Sequence, residues 1–158
     1  MPAFELSDTY AATRVTLRDL LSHRVGLPYN ALDRVLESDE PYPLLVYRLR
    51  DLPLTCSPGD CYAYQNIAYS LAGDIAFAST GHFYSYEVER RLFHPLGMET
   101  ATFGREALEA SGDYARPHVR GARGFLPVRP KETYYRVVPA AGANASIADM
   151  AQWALAQL

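Results

Sequence analysis

At 158 residues with 49% hydrophobic and 21% charged side chains, the chain has the size and composition of one globular domain, able to bury roughly 68–70% of its unfolded surface. The net charge of −3, with no Lys/Arg stripe expected among the aromatics, argues against nucleic acid and acidic membrane surfaces as partners. No apolar run reaches the length of a membrane-spanning helix, and "MPAFELSDTY" lacks the basic-then-apolar order of a signal peptide.

In chain order, Thr16-Leu17-Arg18-Asp19 has the pattern of a capping box, in which hydroxyl and carboxylate satisfy each other's backbone N–H groups. Leu17, Leu20 and Leu21 then form an i, i+3, i+4 stripe that Gly26 and Pro28 end. Further helices are expected over about 31–37 and 44–51, bounded by prolines. The clearest helix starts near Asn66, where Ile67, Leu71, Ile75 and Ala78 recur with helical period before Gly81. Another is expected over 85–93, stopped by "HPLGM", a tight turn with a buried Met98. Residues 112–138, broken by three glycines and three prolines, read as an irregular crossover with one hairpin, "YYRVV" being the most strand-like run. "SIADMAQWALAQL" opens a last helix with a second capping box, Ser146 to Asp149, and no Gly, Pro or polar tail closes it.

Cys56 and Cys61 flank a Pro-Gly turn. A local disulfide or half a zinc site is open to them, but no second Cys/His pair completes a site, so two half-buried free thiols is the reading favoured. The four histidines lack the i, i+4 spacing of a helical metal pair. Neither a metal nor a cofactor is expected. His23 reads as structural.

Four stretches together resemble the serine hydrolases of the class C β-lactamase and penicillin-binding-protein family and their esterase relatives. They are "VTLRDLLSHRVGLP" (15–28), "SPGDCYAYQNIAYSLAGDIAFASTG" (57–81), "RLFHPLGMETATFG" (91–104) and "AAGANASIADMAQWALAQL" (140–158). The resemblance implies three motifs: a Ser-x-x-Lys at a helix head, a Tyr-x-Asn, and a Lys-Thr-Gly or His-x-Gly on an edge strand. By that resemblance Tyr64 is the proton-shuttling tyrosine and Asn66 the carboxamide that serves lysine and substrate. Gly142 and Asn144 match a glycine-rich approach that runs near the substrate cleft in relatives, although a flexible turn is the reading favoured for them. An ordinary tyrosine has a pKa of about 10, so an adjacent ammonium is needed to make its phenolate a base at neutral pH. Taken alone, Tyr64 would be a packing aromatic and Asn66 a helix N-cap.

Two of the three motifs are absent. The single lysine, Lys131, has Val128 three residues before it, and no Lys-Thr-Gly or His-x-Gly occurs. The expectation is therefore a partial β-lactamase-related domain over 1–158. Its fold class is α+β, mainly α: the helical region plus crossover of the β-lactamase/transpeptidase-like fold, with the central sheet largely absent. Its partners are the missing parts of its own fold and, in the intact parent, a small-molecule or peptide substrate. That parent would work through an acyl-enzyme on β-lactams, D-alanyl peptides or small esters. This chain alone is expected to be inactive and, with apolar faces around Leu71, Ile75 and Trp153 left uncovered, to be sticky. The resemblance implies a periplasmic or secreted location. The alternative is a non-catalytic helical module that kept the scaffold for binding or assembly.

Overall fold

The computed structural model describes residues 4–158; Met1 to Ala3, part of the opening stretch read above, lie outside it. Eight helices occur among these residues. They are α1 (Thr9–Arg14), α2 (Leu17–Leu21), α3 (Asp33–Glu37), α4 (Tyr42–Arg48), α5 (Asn66–Thr80), α6 (Tyr84–Val88), α7 (Arg105–Ala110) and α8 (Ile147–Leu155). Strands β1 (Thr102–Phe103) and β4 (Ala143–Asn144) form one antiparallel pair, and β2 (His118–Gly121) and β3 (Gly124–Pro127) form a hairpin. The chain is thus α+β and predominantly helical, with little sheet.

The capping arithmetic holds at both predicted boxes. Thr16 Oγ1 accepts from the Asp19 N–H while Asp19 accepts from the Thr16 N–H, and Ser146 and Asp149 repeat the arrangement. At its other end α5 stops at Gly81, whose φ of +77° is the left-handed terminator that glycine adopts without a Cβ clash. The π-type turn at Glu89–Phe93 extends α6, and Met98 is buried behind Gly97 as expected. One expectation fails: "YYRVV" is no strand. Thr133–Arg136 forms a 3₁₀ turn, because Tyr134 and Arg136 reach back to Glu37 and Asp39, and this tertiary anchorage overrides the β-propensity of the run.

Helix α5 is the centre of the molecule, packed on α2 and α4. Ile67, Ala68 and Leu71 face Leu20, Leu27, Leu36, Leu45 and Leu49 in one apolar cluster. Leu71 is therefore fully buried, which corrects the expectation of an uncovered patch there. Ile75 is half-buried against the same cluster, and Trp153 is half-buried too. Exposed apolar side chains lie at Ile147, Met150 and Leu155 of α8 and at Phe77 and Phe83 by the end of α5.

Asp149 ties the last helix to the turn after Met98. Burial would raise its pKa, but hydrogen bonds from Thr100 and from the Ser146 hydroxyl and N–H outweigh this and hold it down at about 2. A carboxylate with a depressed folded pKa stabilises the fold above its unfolded value and loses that contribution as pH falls through the folded one. The α8 anchorage should therefore weaken between about pH 4 and pH 2, and Asp149→Asn should flatten that part of the melting-temperature profile. An identical acid limb in the variant would exclude Asp149 as its source.

Candidate active site

Tyr64 is placed by a strap. Residues 55–65 run alongside 23–30, with Thr55 N donating to Gly26 O (2.8 Å), Gly59 N to Arg24 O (2.8 Å) and Ala63 N to His23 O (2.9 Å). Asn30 N in turn donates to the carbonyl of Tyr64 itself (2.9 Å). The Gln65 amide joins Pro28 O and the Arg24 guanidinium joins Gly59 O. These are the backbone partners that an irregular, half-buried segment requires. Cys56 and Cys61 form a disulfide across the turn of this strap, so the free-thiol reading is corrected. The Pro-Gly turn folds the two cysteines back to a Cα separation of 6.2 Å, within disulfide reach.

Tyr64 is half-buried and lines a cavity of about 280 Å³ with Leu21, His23, Tyr69, Pro139 and Ala140. Its ring lies 4.6 Å from that of His23, which stacks at 5.1 Å on Tyr69. Burial lowers the His23 pKa, favouring the neutral imidazole. Its Nδ1 accepts from the Gln65 N–H at 3.2 Å, which leaves the ring proton on Nε2. His23 thus acts structurally, yet it does so against Tyr64, a proximity the sequence reading missed. Among the described residues no side chain lining this cavity carries a positive charge, so the ammonium that a phenolate base needs is not among these walls, and neither is a serine.

Asn66 does not stand beside Tyr64 as a second wall of this cavity. It is the first residue of α5 rather than its cap, is buried, and donates through Nδ2 to Asp33 Oδ2 at 2.8 Å. The cap position belongs to Gln65, whose side chain makes no capping bond. Asp33 lies 33 positions away on α3, and no local pattern pointed to it. Burial raises its pKa, the hydrogen bond from Asn66 opposes this, and the charge of Glu37 adds to the rise. Its Oδ1 has no partner among the described residues.

An acid with a raised folded pKa contributes most below its unfolded value and loses that contribution as pH climbs. Asp33→Asn should keep an acceptor for Asn66 while removing the buried charge, so it should gain on wild type between about pH 4 and pH 7. Asp33→Ala should cost about 1–3 kcal/mol by orphaning a buried amide. Urea unfolding of the three proteins at both pH values measures this; an Asp33→Asn protein less stable than the Asp33→Ala protein at neutral pH would contradict it.

Gly142 and Asn144 lie just beyond Pro139 and Ala140 of the cavity wall. Asn144 donates to Gly104 O (2.8 Å) and Thr102 Oγ1 (3.2 Å) and accepts from the Tyr135 hydroxyl (2.9 Å). Its side chain clamps β1 to β4. Gly142 has φ +105°, and a Cβ there would sit 3.3 Å from the Tyr135 ring. A larger cavity, about 590 Å³, opens along the outer side of α5 at Tyr42, Asp74, Phe77 and Tyr84. Among its polar groups Tyr42 pairs with Asp74 and Arg136 with Asp39, and Ser70 donates to Asn66 O.

A Tyr-x-Asn thus enters the central helix beside a cavity walled by His23 and by the approach to the last capped helix. The Beta-lactamase family profile matches residues 4–158, and the chain belongs to that family. It is 29% identical to the unguisins hydrolase of Aspergillus campestris over 98% of this chain and 30% of that protein. It superposes with a TM-score of 0.71 on the octameric penicillin-binding protein homologue from Pyrococcus abyssi, at 23% identity over 89% of this chain and 34% of the other. The D-amino acid amidase of Ochrobactrum anthropi gives a TM-score of 0.68 at 23% identity, over 89% and 43% respectively. The chain thus spans about a third of the length of the curated relative and less than half of these structures.

Proposed function

We propose that this chain supplies the tyrosine side of a serine acyl-transfer site, acting within a longer polypeptide on β-lactams, D-alanyl peptides, D-amino acid amides or small esters. The observation that carries this reading is Tyr64, held by a hydrogen-bonded strap at the wall of a cavity that contains neither serine nor cation. In the completed site a Ser-x-x-Lys helix brings both. The serine hydroxyl attacks the substrate carbonyl while its proton passes to the Tyr64 phenolate. The tyrosine then returns that proton to the departing amine or alkoxide, and water repeats the sequence to release the acid. The family kinship and the relatives' names, a hydrolase and an amidase, support the substrate range.

The same reading makes the 158-residue polypeptide inactive, because removing the nucleophile from a cooperating set abolishes nearly all of its rate enhancement. Fluorescent penicillin and fluorophosphonate probes should leave it unlabelled and should label a polypeptide joining it to an in-frame Ser-x-x-Lys segment. Labelling of the chain by itself would overturn the reading. A second reading, a binding or assembly module, draws on the Asn66–Asp33 bond, which commits that amide to structure; it gains if the coding region holds neither missing motif on either side.

A further inference from the structure

The bulk charge of the chain conceals a local one. Residues 114–131, "YARPHVRGARGFLPVRPK", hold five of its 15 Lys and Arg side chains and none of its 18 Asp and Glu. The segment also lacks Ser, Thr, Asn and Gln. It folds as the β2–β3 hairpin, whose residues are exposed apart from the half-buried Gly121. Register puts Arg120 opposite Phe125 and His118 opposite Pro127 on one face, and Val119 opposite Leu126 on the other. Phe125 is 73% exposed, Leu126 58% and Val119 50%.

Its base is tied down through a two-bond pairing of Arg129 with Glu109 of α7 at 2.6 and 2.7 Å, and His118 and Val119 edge a cleft against Tyr134 and Tyr135. Among the described residues Arg116, Arg120, Arg123 and Lys131 enter no salt bridge. A two-stranded hairpin exposed on both faces is marginal in water, and uncovered apolar side chains at its end mark a contact surface.

We propose that this hairpin docks the protein on an anionic lipid surface, with Phe125 and Leu126, beside its turn, entering the interface and the four free cations lying over the headgroups. Charge selects an anionic partner, each Lys or Arg near such a surface strengthening binding about fivefold. The rest of the composition selects lipid over nucleic acid or an acidic protein. Base readers commonly add Asn, Gln, Ser or Thr contacts to those of their arginines, whereas an interfacial element sets bulky apolar groups beside its cations. The hairpin has the second set and not the first. This inference stands apart from the hydrolase reading and none of its tests measures activity.

Sedimentation with vesicles of phosphatidylcholine and phosphatidylglycerol should carry the 158-residue protein down, and pure phosphatidylcholine vesicles should not. Arg120→Gln with Arg123→Gln should weaken the partition about 25-fold, and Phe125→Ser with Leu126→Ser should also weaken it while leaving the circular dichroism melt in place. An Ile147→Ser, Leu155→Ser control, which alters the exposed face of α8, should bind as wild type. Equal binding to uncharged vesicles, indifference to the hairpin changes, or loss only in the α8 control would overturn the proposal. So would binding to a soluble polyanion that matches vesicle binding and ignores the Phe125 and Leu126 changes.

Discussion

Tyr64→Phe, made in a polypeptide that joins this chain to a Ser-x-x-Lys segment, should lower the acylation rate by roughly 10²–10⁴ with almost no change in melting temperature. The split follows from what the side chain touches. Tyr42, Tyr134 and Tyr135 each spend their hydroxyl on a partner, Asp74, Glu37 and Asn144, and the donation to Glu37 pushes the Tyr134 pKa to about 12. The Tyr64 hydroxyl has no hydrogen-bond partner among the described residues, while its ring packs on His23. Phenylalanine keeps the ring contact and removes only the proton carrier. Stability should therefore move by no more than about 0.5 kcal/mol, the range for a change that strands no partner. Stopped-flow acylation with a chromogenic cephalosporin, paired with thermal melts, separates the two quantities. A fall in stability matching the fall in rate would make Tyr64 a packing residue and nothing more.

Gly26→Ala should be the most destabilising single-atom addition in the chain, costing about 3 kcal/mol or more and lowering the melting temperature by roughly 10 °C. Two costs coincide there. The backbone sits at φ +92°, a conformation that L side chains adopt only under strain, and a Cβ would overlap the carbonyl oxygen of Cys56. That carbonyl cannot retreat easily, because Thr55 is bonded to Gly26 O through both its N–H (2.8 Å) and its hydroxyl (3.0 Å), and the disulfide closes the turn behind it. Gly59→Ala provides the comparison. Its φ is +91°, yet the nearest atom to a new Cβ is Asp19 Oδ1 at 4.0 Å, so only the conformational cost of about 1–3 kcal/mol remains. Equal losses at the two positions would show that the close approach of the strap contributes nothing. Because the strap carries Tyr64, Gly26→Ala should also broaden the aromatic signals of Tyr64 and His23 before global unfolding.

The local elements were legible because their causes are local. A hydroxyl and a carboxylate three residues apart close a capping box whatever surrounds them, so the starts of α2 and α8 were written at Thr16 and Ser146. The period of Ile67 and Leu71, with Gly81 after them, likewise marked α5. The family was legible for a different reason: four stretches along the chain resemble one family, and the Beta-lactamase match confirms the membership. The strand expected at "YYRVV" misled because propensity was read without the salt bridge and hydrogen bond that hold Tyr134 and Arg136 to α3 and the turn after it.

By itself, then, the order of residues determined the helical punctuation, the family and the absence of a Ser-x-x-Lys within the chain. What it left to the tertiary structure were relations between positions far apart. These are the bond from Asn66 to Asp33, the packing of His23 on Tyr64, the joining of Cys56 to Cys61 and the exposed cationic hairpin. Each depends on where a side chain's partner arrives once the core has closed. Hydrophobic burial of Ile67 and Leu71 against α2 and α4 is what brings those partners together, and that force acts on area, not on sequence separation.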